Sequence, residues 1–262
     1  MPVLACGPSC WRAENLKAIG IIPARLESTR LPRKLLREVA GRPLLSWVHA
    51  AANSCSGLSD VIIATDSDAI LALCKENGWH GILTSANHRS GTDRVCEVAR
   101  QISADIYINI QGDEPLVRRE HIEALLGLMQ NSSVRVATLK THCAAEDVRN
   151  VHAVKVVVDG EGRALYFSRS IIPFDRNGSN EAIYFKHLGL YAYRLEALRT
   201  FCSLLPSELE RAEQLEQLRF LEHGIPIHVA ETPYDTIGVD TENDLQRVQA
   251  ILGKVRAVRH EQ

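Results

Sequence analysis

Between residues 19 and 129, short apolar runs alternate with helix-period patterns, and this alternation limits the fold more than any single motif does. Ile19 to Pro23, Val61 to Thr65, Gly81 to Thr84 and Ile106 to Ile110 read as strands. Leu44, Leu45, Val48, Ala51 and Ala52 have helical spacing. So do Ile70, Leu71, Leu73 and Cys74, between a cap at Asp66-Ser67-Asp68 and a stop at Gly78. Helices over Thr92 to Ile102 and Arg119 to Met129 complete the pattern. Strands that are short and apolar throughout belong in a parallel sheet covered on both faces. Such sheets take their ligands beyond the carboxyl ends of the strands.

The pattern changes after residue 130. Val134 to Lys140, Ala153 to Val158, Ala164 to Phe167 and Leu188 to Tyr193 are extended candidates, and Gly160-Glu161-Gly162 suits a hairpin turn. Mixed or antiparallel pairing is expected there. Leu35 to Val39 reads as a short extended piece. Leu195 to Phe201, Glu208 to Gly224 and Thr241 to Ile251 read as helices, and Pro226 to Ala230 as a late strand. One domain over 19–252 is expected, with an N-terminal extension at 1–18 and a C-terminal tail at 253–262.

Polar residues gather where strands end. After Ile19 to Ala24 the chain carries Arg25, Arg30, Arg33 and Lys34, suited to phosphate through planar guanidinium donors and a mobile ammonium. A solvated surface loop explains the same residues. After Tyr107 to Ile110 comes Gln111-Gly112-Asp113-Glu114-Pro115, and a separate acid, Asp240, follows Gly238-Val239. Two carboxylates could hold a hard Mg2+ with phosphate or water filling its shell, although each also suits a helix start. His187 could hydrogen-bond a carboxylate or hydroxyl substrate, Arg169 could hold an anion, and Glu216 and Gln217 could face a polyol.

Bulk composition narrows the class. The 262 residues are 45% hydrophobic and 24% charged with a net charge of −2, so no overall field favours nucleic acid or an anionic membrane. Apolar stretches fall short of the roughly 18 residues of a membrane span. The extension at 1–18 lacks the apolar core of a secretory signal, so the cytoplasm is the expected compartment. The seven cysteines are scattered. A disulfide framework is not expected, and Cys74 and Cys96 read as small buried hydrophobes.

Several ordered blocks carry a resemblance. IIPARLESTRLPRK at 21–34, ATDSD at 64–68, SGTDR at 90–94, NIQGDEP at 109–115, AVKVV at 153–157, ALYFSR at 164–169, KHLGLYAY at 186–193, EQLEQLR at 213–219 and GVDTENDL at 238–245 resemble the 3-deoxy-D-manno-octulosonate cytidylyltransferases, or CMP-Kdo synthetases. The resemblance implies an α/β nucleotide-sugar transferase (Rossmann-like) three-layer sandwich with a predominantly parallel mixed central sheet and an antiparallel dimerisation subregion. It further implies Mg2+-dependent transfer of CMP from CTP to the octulosonate (Kdo) for lipopolysaccharide-type glycan synthesis, by a homodimer.

Carried onto this chain, the resemblance gives Arg25, Ser28, Arg30, Lys34 and Gln111 to the nucleotide, with Arg25 and Lys34 also catalytic. Asp113 and Asp240 become metal-binding and catalytic, and Gln111, Arg169, His187, Tyr191, Glu216 and Gln217 surround the acidic sugar. Arg89, Asp93 and a short 175–181 loop depart from the common pattern. They keep open an 8-amino-3,8-dideoxy-octulosonate or another acidic sugar as acceptor. A non-enzymatic nucleotide-binding regulator is the rival of a different class.

Overall fold

A computed structural model describes residues 16–28, 30–88, 90–178 and 181–260, with side chains described as far as 254. The alternating half folds as its spacing predicts. In chain order it contains β1 (Ala18–Ala24), a 3-10 turn (Lys34–Leu36), β2 (Glu38–Val39), β3 (Arg42–Pro43), α1 (Leu44–Asn53), β4 (Asp60–Thr65), α2 (Asp68–Asn77), β5 (His80–Leu83), α3 (Gly91–Gln101), β6 (Ile106–Asn109) and α4 (Arg119–Met129). Ser67 caps α2 by accepting from the Ala69 amide at 3.2 Å, and Gly78 ends it at φ 67°. The extended piece expected over Leu35 to Val39 is confined to Glu38 and Val39, because residues 34–36 close a 3-10 turn first.

The later half adds β7 (Val136–His142), α5 (Ala145–Val148), β8 (Lys155–Val158), β9 (Ala164–Ser168), β10 (Phe185–Arg194), α6 (Leu195–Ser203), α7 (Glu208–Glu213), α8 (Leu218–Glu222), β11 (Ile227–Glu231) and α9 (Glu242–His260). The main sheet runs β11-β7-β10-β6-β1-β4-β5. β1 is parallel to β4 and β6, β4 to β5, and β7 to β11, while β10 lies antiparallel between β6 and β7. β8 and β9 form the expected hairpin beside β10.

Two apolar layers cover the sheet. Ile19, Ile21, Ile62 and Ala64 point to the side of Val95, Leu198 and Phe220, and Ile22 and Ile63 to the side of Leu45, Ile70, Leu125 and Val248. The two-residue period of a strand thus feeds both faces, which is why these strands read as unbroken apolar runs. The result is a three-layer α/β sandwich with a mixed, mostly parallel sheet.

Three further expectations change. The single helix over Glu208 to Gly224 is broken into α7 and α8, with Gln214 left-handed at φ 53°. Tertiary ties overrule the helical spacing. Ser168 donates to the Glu213 carboxylate at 2.5 Å, and Arg219 Nε donates to the buried Glu210 carboxylate at 2.7 Å. Residues 253–260 continue α9 rather than forming a separate tail. Cys96 is buried as expected but disulfide-bonded to Cys202, joining α3 to α6, whereas Cys55 and Cys74 are free and buried. Cys6, Cys10 and most of the expected N-terminal extension lie outside the described residues.

Candidate active site

The end of β1 and the turn after β6 meet at backbone distance. A Cβ on Gly112 would stand 2.8 Å from the Pro23 carbonyl oxygen, so a residue without one is needed there. The Val239 amide donates to the Asp113 carbonyl at 2.9 Å, which brings the distant Gly238-Val239-Asp240 segment onto the same turn. Lys34 Nζ then lies 2.5 Å from Asp113 Oδ2, 3.0 Å from Asp240 Oδ1 and 3.1 Å from the Val239 carbonyl oxygen. Arg30 Nη2 takes the other Asp240 oxygen at 2.8 Å. Burial works against the Lys34 charge, but the Asp113 and Asp240 carboxylates overcome it and raise its pKa. Burial also opposes ionisation of Asp240, and Lys34 and Arg30 outweigh it, holding that carboxyl below its usual range.

Arg25 and Ser28 stand apart from this cluster. Arg25 Nη2 donates to the His88 carbonyl at 2.6 Å, and Ser28 Oγ accepts from the Leu31 amide at 3.4 Å within its own turn.

Beside the cluster opens a cavity of about 740 Å³ whose wall includes Arg30, Gln111, Arg169, His187, Tyr191, Glu216, Gln217 and Asp240. Sequence distance hid this convergence. The break between α7 and α8 turns Glu216 and Gln217 inward, and Gln217 Nε2 is buried there without a protein partner. Burial raises the Glu216 carboxyl, against hydrogen bonds from Thr92 and Ser90. An irregularity in the β10–β7 ladder between Leu188 and Tyr191 frees the Gly189 carbonyl to accept from Gln111 Nε2 at 3.3 Å. Arg169, expected to hold an anion, lines the cavity with part of its guanidinium engaged by the backbone. Its guanidinium donates to the Glu213, Val151 and Gln214 carbonyls at 2.8, 3.0 and 3.4 Å.

A cytidylyltransferase family model matches residues 19–229. The chain is 60% identical over 238 residues to a 3-deoxy-manno-octulosonate cytidylyltransferase of Koribacter versatilis, with 91% of each chain covered. The chain belongs to that family. A second relative carrying the same name, from Acidobacterium capsulatum, is 53% identical, over 91% of this chain and 97% of its own. A solved CMP:2-keto-3-deoxy-manno-octonic acid synthetase complexed with CTP superposes at TM-score 0.87 and 42% identity, covering 91% of this chain and 99% of that one. A cytidylyltransferase of Leptospira borgpetersenii, at TM-score 0.61 and 16% identity, shares the fold.

In this family member, two further pocket residues, Glu114 and Lys186, lie inside the blocks that carry the resemblance. Glu114 Oε2 is buried without a partner, and burial, opposed by a Thr236 hydrogen bond and aided by the Asp113 charge, pushes its carboxyl up to about 7. Lys186 Nζ reaches Asp235 at 3.0 Å, the Thr236 carbonyl at 3.1 Å and Asp147 at 3.4 Å, tying α5 to the 235–236 segment. Neither shows in a linear reading, because each depends on a partner far along the chain. A second cavity of about 690 Å³, at the starts of β4 and β5, is lined by none of the residues with an expected site role.

His187 packs edge-on against Phe167 with ring centroids 4.9 Å apart, and its Nε2 lies 3.0 Å from Thr138 Oγ1. Burial lowers its pKa to about 3. The imidazole is therefore neutral at pH 7, and any contact it makes with a substrate is that of a neutral hydrogen-bonding ring. The unfolded chain binds this proton near pH 6.5, while the folded chain refuses it until about 3. The stability contribution is complete above pH 6.5 and falls by about 1.4 kcal/mol per unit on acidification through that window. We expect the urea midpoint of His187→Gln to drop less than that of the unmodified chain between pH 7 and pH 5. Equal drops would remove His187 from the acid response.

Proposed function

We propose that this chain transfers CMP from CTP to 3-deoxy-D-manno-octulosonate, giving CMP-Kdo and pyrophosphate. The observation that carries this reading is the Lys34–Asp113–Asp240 cluster at the edge of a pocket walled by Gln111, His187, Tyr191, Glu216 and Gln217. The family relatives, named for the same acceptor, support it.

The residues fit a role for Mg2+. Asp113 and Asp240 offer hard oxygen donors within reach of one common ammonium, and each carboxylate is partly exposed, at 32% and 45%. No group of three or more acidic, histidine or cysteine residues able to hold a metal occurs among the described residues, so phosphate and water would complete the shell. Bound there, Mg2+ would polarise the α-phosphate and offset developing negative charge.

The anomeric hydroxyl oxygen of the sugar attacks the α-phosphorus in line, its proton passes to water, and pyrophosphate leaves from the opposite side. Oxygen–phosphorus bond formation and cleavage balance without a covalent enzyme intermediate. Arg25, Arg30 and Lys34 supply positive charge along the triphosphate. Gln111, Glu216 and Gln217 hold sugar hydroxyls, with neutral His187 and Tyr191 shaping the wall. Arg169 fixes the break between α7 and α8 that aims Gln217.

Incubation with CTP, Kdo and Mg2+ is expected to give CMP-Kdo by mass, with pyrophosphate released only when sugar is present and with chelation stopping the reaction. Turnover of the 8-amino analogue but not of Kdo would overturn the acceptor. Nucleotide binding without pyrophosphate release would point to a regulator.

We also infer a homodimer in the cytoplasm. No helix among the described residues is long and apolar enough to cross a membrane. Val151, Leu165, Phe174 and Ile183, between 57% and 82% exposed, all fall within residues 151–183 of the antiparallel half and suit a contact with a second copy. Residues 208–224 contribute less than one amphipathic helix would, since Leu215, Leu218 and Phe220 are buried in their own core. Light scattering should give twice the 29.1 kDa chain mass; a single-chain mass at every concentration would refute the dimer.

A further inference from the structure

The two acids proposed to hold Mg2+ are already engaged with the chain's own cations. Lys34 Nζ has three oxygen partners, from Asp113, Asp240 and the Val239 carbonyl, at 2.5, 3.0 and 3.1 Å. That satisfies all three ammonium protons. Its side chain is only 13% exposed. Both Asp240 oxygens are engaged by cations, Oδ1 by Lys34 and Oδ2 by Arg30 at 2.8 Å, though each keeps a second lone pair. A divalent cation needs its oxygens at about 2.0–2.6 Å with lone pairs directed at the ion. A cation brought to Asp240 would share that carboxylate with the Lys34 ammonium and the Arg30 guanidinium, and their positive charges repel it.

We propose that Lys34, assisted by Arg30, acts as a built-in stand-in for the divalent cation, closing the Asp113–Asp240 site until a nucleoside triphosphate draws both side chains away. This rests on Asp113 and Asp240 being the cation ligands. The triphosphate is the exchange partner the chemistry calls for. It carries several negative charges and many acceptor oxygens, so it can receive both cations as they leave the carboxylates. The freed carboxylates then regain full ligand capacity beside the phosphates. Nucleotide and metal therefore bind with positive coupling, each strengthening the other by the same factor, in a range of about 5–150-fold. A free protein that binds the metal weakly also avoids holding it in an arrangement without substrate.

The test is Mn2+ binding, followed by electron paramagnetic resonance on the full chain with no nucleotide present. Lys34→Met is expected to bind Mn2+ about tenfold or more tightly than the unmodified protein, because Oδ1 of Asp240 and Oδ2 of Asp113 are released. Arg30→Met is expected to give a smaller gain by releasing Oδ2 of Asp240, and Lys34→Arg, which keeps the positive charge, little or none. Adding Asp240→Asn to Lys34→Met should abolish the gain.

Circular dichroism checks each fold, and Lys34→Gln replaces Lys34→Met if the methionine variant does not fold. If folded Lys34→Met or Lys34→Gln binds Mn2+ no better than the parent while Asp240→Asn weakens it, the stand-in role is wrong and the metal ligands stand. If Asp240→Asn changes Mn2+ affinity in neither background, the metal assignment itself fails and the proposal with it.

Discussion

Asp113→Asn and Asp240→Asn should each cut turnover of CTP and octulosonate by about 10²–10³-fold while leaving the protein folded. Asparagine keeps the size and one acceptor oxygen but removes the charge that a hard cation and the flanking Lys34 both require. Neither acid is deeply buried, with side chains 32% and 45% exposed, so its loss strands no charge in an apolar interior. Each variant leaves Lys34 one remaining carboxylate, and the stability change should stay within about 1 kcal/mol. Steady-state kinetics at limiting Mg2+, set beside urea midpoints, separates the two effects. Turnover within about threefold of the parent in a folded variant would strip that residue of its role.

The second large effect is on stability. Arg219→Met should cost about 3–5 kcal/mol, because it leaves the Glu210 carboxylate buried without its cation. Glu210 and Arg219 are each 8% exposed, and the guanidinium also lies 4.0 Å from the Phe201 ring centre. The pair ties α7 to α8 across the break that turns Gln217 inward, so KM for the sugar should rise more than KM for CTP. A Glu210→Leu, Arg219→Met double variant should regain much of the lost stability, since apolar replacement of both partners removes the stranded charge. Urea unfolding and paired KM measurements check this. Loss of less than about 1 kcal/mol in the single variant would mean that Glu210 reaches water.

The parts of the molecule legible in its sequence are those decided locally. Strands β1, β4 and β6 announce themselves because both faces are covered, and α4 runs over the Arg119 to Met129 span that spacing marks out. The meeting of Lys34 and Asp240, 206 residues apart, is of another kind. It depends on the Val239 amide finding the Asp113 carbonyl, and the resemblance grouped those residues without supplying that bond. The break at Gln214 was hidden because Leu209, Ala212, Leu215, Leu218 and Leu221 satisfy one helical face on paper. Ties to Ser168, Arg169 and Arg219 act through space and leave no periodic trace. The Cys96–Cys202 bond, spanning 106 positions, escaped for the same reason.

The contact at Gly112 bears on how such a chain can change over time. With the Pro23 carbonyl oxygen occupying the space a side chain would need, the end of β1, from which the cationic loop departs, and the acidic turn are held against each other. The far wall of the pocket is held by side-chain ties, such as Ser168 to Glu213 and Arg219 to Glu210, rather than by one backbone approach. Drift in which acid the pocket accepts therefore has room to accumulate on the wall built by residues after 168. The charge arrangement on the near side stays where it is, and a new specificity can be tried without rebuilding the part that handles phosphate.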